Sequence, residues 1–373
     1  MHFSFSFLRH LCLLAVWTLF CSAICLGQSG FNLQLTLDYN SAERTLELYD
    51  GTVGAPREVA SLRGSQLALG ATALLSGQRL NVEDLEAHLR DAKYKHVASD
   101  DVFRMKEAIE NAEAIKELLV EIKRRNFGQR VISTVSQLFP PDTRLSKNVP
   151  VYLTAFGHQN ISAFVQSIQW RNGKPVAVGD AEGELTIVVN LARTVFYGSN
   201  VSERFIGTLS VVAHEVFHVA FGHYQNESSE WQSWFDTHRG ALDHLMELTQ
   251  NEGIAHYLSF EQRGGYMPPD WRTRIKNAFR EFDERSRELA SPATSVKRAQ
   301  EIIRASNASE YWESYGAITG LFMALTIDRK AGRSALHAAI AGGPPVFYET
   351  YDRLAQADDN LPRIDEATLT RVR

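Results

Sequence analysis

Beyond residue 25 the chain of 373 residues has no cysteine. Cys12, Cys21 and Cys25 all fall in one short N-terminal stretch. A chain that loses this stretch can form no disulfide and offers no thiolate as metal ligand or nucleophile. Its stability must come from packing. The sequence also lacks a long run of like charge: 39 basic residues face 44 acidic ones, for a net charge of -5. That balance gives no electrostatic reason to expect a nucleic-acid partner or a basic membrane-binding face. No repeat of 20–50 residues stands out, which argues against a solenoid or propeller.

Long apolar runs are scarce too, and the clearest is residues 11–26 (LCLLAVWTLFCSAICL). Its length suits the core of a signal peptide and is short for a bilayer span. Small residues around Cys25 and Gly27 predict a cut before Gln28. Residues 1–27 are therefore read as a signal peptide and the mature chain as secreted or periplasmic, with no stable membrane insertion. An uncleaved anchor is the competing reading. Phe20 and Ile24 ahead of the cysteines argue against a lipoprotein. Asn-x-Ser sequences begin at Asn160, Asn200, Asn226 and Asn307, and matter only in a source that glycosylates exported proteins.

What is present is an ordinary globular balance, 44% hydrophobic and 22% charged, on a chain long enough for two packed lobes. The pattern predicts an α+β, mostly helical fold. A helical front lobe covers residues 28–148. Residues 82–92 and 102–120 carry apolar residues three and four apart, the second segment with Asp100 and Asp101 placed as caps. Pro140, Pro141 and Pro150 mark the boundary with a second domain, residues 149–373. That domain opens with strands at 151–156 (VYLTAF) and 185–191 (LTIVVNL) and returns to helix from Ser202 onward.

The chemistry concentrates at residues 212–220, VAHEVFHVA. Phe205, Leu209, Val212, Val216 and Ala220 repeat at helical intervals, with Ser202 as a possible cap and Gly222 as a possible end. On such a helix His214 and His218 are one turn apart and offset by only ~40°, so both imidazoles can grip one ion. Glu215 sits ~100° further round, beside the metal without being aimed at it. That is where a carboxylate must stand to take a proton from water made acidic by zinc.

A catalytic zinc has three protein ligands and one open position. His223 misses the spacing of a third histidine, and nothing favours Asp236 or Asp243. Glu252 is better placed, because residues 242–260 read as a helix in which Leu245, Leu248, Glu252 and Ala255 share a face. A carboxylate among leucines is costly unless it is paired or bound to a cation. An arginine from the front lobe is the alternative partner.

HEVFH followed by a helical NEGIA resembles the gluzincins, the thermolysin-like metallopeptidases, in which Asn often precedes the ligand Glu. The chain also looks similar to an uncharacterised bacterial group of zinc-dependent peptidases. The resemblance implies a zincin-like core with a small mixed sheet and an active-site helix, and one zinc held by His214, His218 and Glu252. It implies that Glu215 is the general base and that peptides or proteins are the substrates. The strand at 185–191 is expected either at a sheet edge above the metal, ready to pair with an extended peptide, or as an ordinary core strand. The pattern departs at His256, where thermolysin-like enzymes carry an Asp that supports a zinc histidine. Tyr315 is a candidate oxyanion donor or a core tyrosine, and His337 and Tyr348 are weaker candidates. The leading functional reading is peptide-bond hydrolysis. The alternatives are a zinc-binding zincin fold without turnover and a zinc hydrolase of a non-peptide amide.

Overall fold

The computed structural model describes residues 30–52, 55–97, 101–178, 183–307 and 312–373. The expected export segment with its three cysteines and the cap candidate Asp100 lie outside these residues. Helices dominate, around one sheet of five strands: β1 (Phe31–Asp38), β2 (Leu145–Thr154), β3 (Ala163–Arg171), β4 (Lys174–Ala177) and β5 (Glu184–Asn190). The sheet is mixed, in the order β1-β2-β5-β3-β4. β1, β2 and β5 are mutually parallel, and β3 runs against both β5 and β4.

One strand expectation needs correction. Phe31–Asp38 is a strand paired residue for residue with Leu145–Tyr152, not the start of a helical lobe. Phe31, Leu33, Leu35 and Leu37 alternate with polar residues, a period of two that short strands need. Of the two places open to the segment at 185–191, the structure shows the core one: β5 lies between β2 and β3. Ile187 to Asn190 are all buried, which a strand covered on both faces requires. The edge strand on that side is β4, and it pairs only with Ile168–Arg171 of β3. The β3–β4 hairpin turns on Asn172 and Gly173, both with positive φ (53° and 74°), as a tight two-residue turn demands. Pro150 falls inside β2, where the strand pairs with β1 alone, so its missing N–H leaves no gap in the β5 ladder.

The five longest helices carry the second half: α1 (Val201–Glu227), α2 (Ala241–Gln262), α3 (Trp271–Ala290), α4 (Tyr315–Ala331) and α5 (Arg333–Gln356), the last kinked at Gly343 before Pro344 and Pro345. The cap of α1 is Asn200, whose side chain accepts from Glu203 N, rather than Ser202. Gly222 does not end this helix, which continues to Glu227. In the front part Asp101 does cap a helix, accepting from the backbone of Met105 and Lys106. The helical stretch there is broken into Met105–Glu110 and Ala112–Arg124.

The orientation of α1 is locked from behind. Phe217 and Phe221 stack at 5.2 Å, Phe139 meets Phe217 at 5.6 Å, and Trp231 meets Phe221 edge-on at 5.2 Å. These aromatic contacts bury one face of the helix and leave its histidines on another. α2 crosses α4 at Gly253 and Gly320, where a methyl on either glycine would overlap the other helix's backbone. Gly316 and Gly320 permit this approach, since a methyl on either would meet α2 at Thr249.

Candidate metal centre

Along the buried middle of α1, from Val212 to Ala220, only His214, Glu215 and His218 retain solvent access. α2 brings Glu252 against them. His214 Nε2 and His218 Nε2 are 3.0 Å apart, and Glu252 Oε2 lies 3.6 Å from the first and 3.4 Å from the second. Zinc bonds of about 2.0–2.1 Å place tetrahedral donors about 3.3–3.4 Å apart. The triangle fits one such ion, and its three side chains keep 17–22% exposure, enough for water to arrive.

The surroundings of Glu252 support a cation at this place. Among the described residues its only ion-pair partners are the imidazoles of His214, His218 and His256, and no arginine reaches it. Burial opposes ionisation of Glu252, but His218 and His214 outweigh it and hold the carboxyl well below the usual range. For His218 burial works against the charge, while Glu252 wins and takes the ring up to about 9. A divalent ion in the triangle competes for the same nitrogen lone pair that this proton occupies.

Glu215 has no hydrogen-bond or ion-pair partner among the described residues, and burial raises its pKa, with Glu252 adding like charge and the two histidines opposing. A carboxylate raised in this way is a better proton acceptor than a free one. His256 sits beside His214, their rings edge-on with centroids 5.0 Å apart. Its Nδ1 donates to Glu252 O at 2.9 Å and is 3.8 Å from Oε2. Burial and the charge of His214 push this imidazole down to about 3, so it stays neutral. The donor atoms of His214, Glu252 and His256 also lie within 4.8 Å of one another. The tighter triangle with His218 is the better fit, and Nδ1 of His256 is already committed to a carbonyl.

One support for the ligands comes from the Asn that precedes the ligand Glu. Asn251 Oδ1 lies 2.8 Å from His218 Nδ1, and Asn251 Nδ2 donates to Glu247 Oε1 at 3.4 Å. An amide oxygen thus holds the His218 ring.

The remaining candidates are committed elsewhere. His223 pairs with Glu227 at 3.0 Å, and exposed Asp236 pairs with Arg239 at 3.3 Å. Asp243, 1% exposed, accepts from Gly240 N at the start of α2 and pairs with Arg371. Tyr315 is buried and donates its hydroxyl to Ile302 O at 2.9 Å, which makes it a core tyrosine and not an oxyanion donor. His337 meets Gln137 O at 3.0 Å, and buried Tyr348 donates to Met246 O at 3.3 Å.

The fold and site define a helix-borne cluster of two histidines and a glutamate suited to one divalent metal. The chain belongs to the family described as "Putative zinc dependent peptidase (DUF5700)", whose model matches residues 64–360, well over half its length. No curated protein and no solved structure matches it.

Proposed function

We propose that the chain is an exported, gluzincin-type zinc metallopeptidase with a zincin-like core. The observation that carries this reading is the triangle of His214 Nε2, His218 Nε2 and Glu252 Oε2, with edges of 3.0, 3.4 and 3.6 Å. Zinc bound there would polarise a peptide carbonyl and lower the pKa of water toward neutrality. Glu215 would receive the proton of the attacking water and pass it to the departing amine. Export rests on the N-terminal sequence pattern alone.

An extended substrate has a strand available to it. The outer edge of β3 from Ala163 to Val165 pairs with no strand among the described residues. A peptide added there would gain backbone hydrogen bonds that orient its scissile bond.

The test is a Glu215→Gln variant assayed on an unfolded protein substrate, with zinc counted in both proteins. The expected result is about one zinc in each and cleavage reduced at least ~100-fold in the variant. Equal cleavage would remove Glu215 from the reaction.

A further inference from the structure

Glu247 is a half-buried carboxylate on α2, with 12% of its side chain exposed. Its Oε1 accepts from Gln225 Nε2 at 3.0 Å and from Asn251 Nδ2 at 3.4 Å. Gln225 is buried on α1, seven residues beyond His218. The other oxygen, Oε2, faces His244 Nδ1 at 3.8 Å. Among the described residues no lysine or arginine pairs with this carboxylate.

A primary amide can turn over and exchange its donor and acceptor ends. A carboxylate can only accept, so Glu247 draws the NH2 end of Asn251 and turns Oδ1 toward His218. That oxygen in turn can only accept. His218 must therefore keep a hydrogen on Nδ1, and Nε2, facing His214 and Glu252, is the nitrogen that can exchange its proton for a metal. The opposite amide orientation would set two donors against each other and favour the Nε2–H tautomer, which cannot ligate through that nitrogen.

We infer that Glu247 is a positioning residue of the metal centre: acting through Asn251, it selects the nitrogen that His218 presents to the cation. It can have this role only if the zinc site proposed above exists.

The experiment measures zinc affinity by chelator competition, together with the visible spectrum of the cobalt-loaded protein. The proteins compared are wild type, Glu247→Leu, Glu247→Gln and Gln225→Leu. The glutamine variant is nearly isosteric and carries the test if the leucine variant does not fold. Because its amide can donate as well as accept, it no longer dictates how Asn251 turns. Supporting partners of this kind change metal affinity about 10–100-fold. Both Glu247 variants are expected to weaken zinc by that factor and to shift the cobalt bands. Gln225→Leu, which loses the tie between α1 and α2 but leaves the Glu247–Asn251 bond, should stay within about threefold of wild type. Glu247 variants with unchanged affinity and spectrum would overturn the role, as would a Gln225→Leu loss equal to theirs. A wild-type protein that binds no zinc would instead overturn the zinc-site reading itself.

Discussion

Gly253 and Gly320 meet backbone to backbone where α2 crosses α4, one residue beyond Glu252. The position of the third ligand therefore depends on a contact between two residues without side chains. Gly320→Ala would drive a methyl into the backbone around Thr249 and Gly253, and neither backbone can step aside without moving α2. Overpacking of this kind costs about 1–3 kcal/mol or more. The variant is expected to melt lower and to bind zinc more weakly. Thermal unfolding and chelator competition would check both effects, and an unchanged zinc affinity would separate the crossing from the site.

Asp243 and Arg371 join the start of α2 to the C-terminal end of the chain. Arg371 Nε and one NH2 group lie 2.5 and 2.7 Å from the two carboxylate oxygens. Removing Arg371 leaves a nearly inaccessible carboxylate without its counter-ion, a loss of about 3 kcal/mol when such a pair is broken from one side. The arginine end is partly exposed, so a smaller loss than that is expected for Arg371→Ala. The double variant Arg371→Leu/Asp243→Asn should recover part of it. Urea unfolding of the three proteins measures this directly.

Much of the site was legible because two patterns are local. HEVFH lies on one turn of one helix, and Glu252 is polar on an otherwise apolar face. The rest required knowing how α1 is rotated against α2. Gln225 and Glu247 look like ordinary surface polar residues, and Asn251 is marked only as the residue before the ligand Glu; the packed helices show them linked to His218. The strand Phe31–Asp38 was legible and overlooked, because its alternation is short and stands before a long helical stretch. The central place of β5 was not legible, since a buried run fits an edge or an interior strand until its neighbours are known. Gly222 shows the limit of cap rules: a glycine can sit inside a long helix when packing on both sides holds the turn.

Asp283 supplies a pH dependence outside the metal centre. Burial raises its pKa to about 6, against the favourable hydrogen bond it accepts from Asp365 N. The folded chain therefore holds a proton at a pH where the unfolded chain has lost it. The stability this contributes is complete near pH 4 and lost as pH rises through about 6. Asp283→Asn keeps an acceptor for Asp365 N without the charge. It should stabilise the fold at pH 7 by about 1 kcal/mol given the side chain's partial exposure, seen as a higher melting temperature, with the gain gone at pH 4. Melting curves at the two pH values decide it.

Tyr315→Phe gives a contrasting expectation. The hydroxyl is bonded to Ile302 O inside the core, so its removal should cost about 1 kcal/mol of stability and leave turnover within about twofold. A loss of several orders of magnitude in turnover, with folding intact, would return this tyrosine to the reaction.

The most direct test of the metal centre is X-ray absorption at the zinc edge on wild-type protein loaded with one equivalent of zinc. Two imidazole nitrogens at about 2.0–2.1 Å, one carboxylate oxygen and one further light scatterer are expected, with the imidazole signal halved in His218→Ala. Three imidazoles around zinc, or a signal indifferent to the loss of His218, would contradict the assignment.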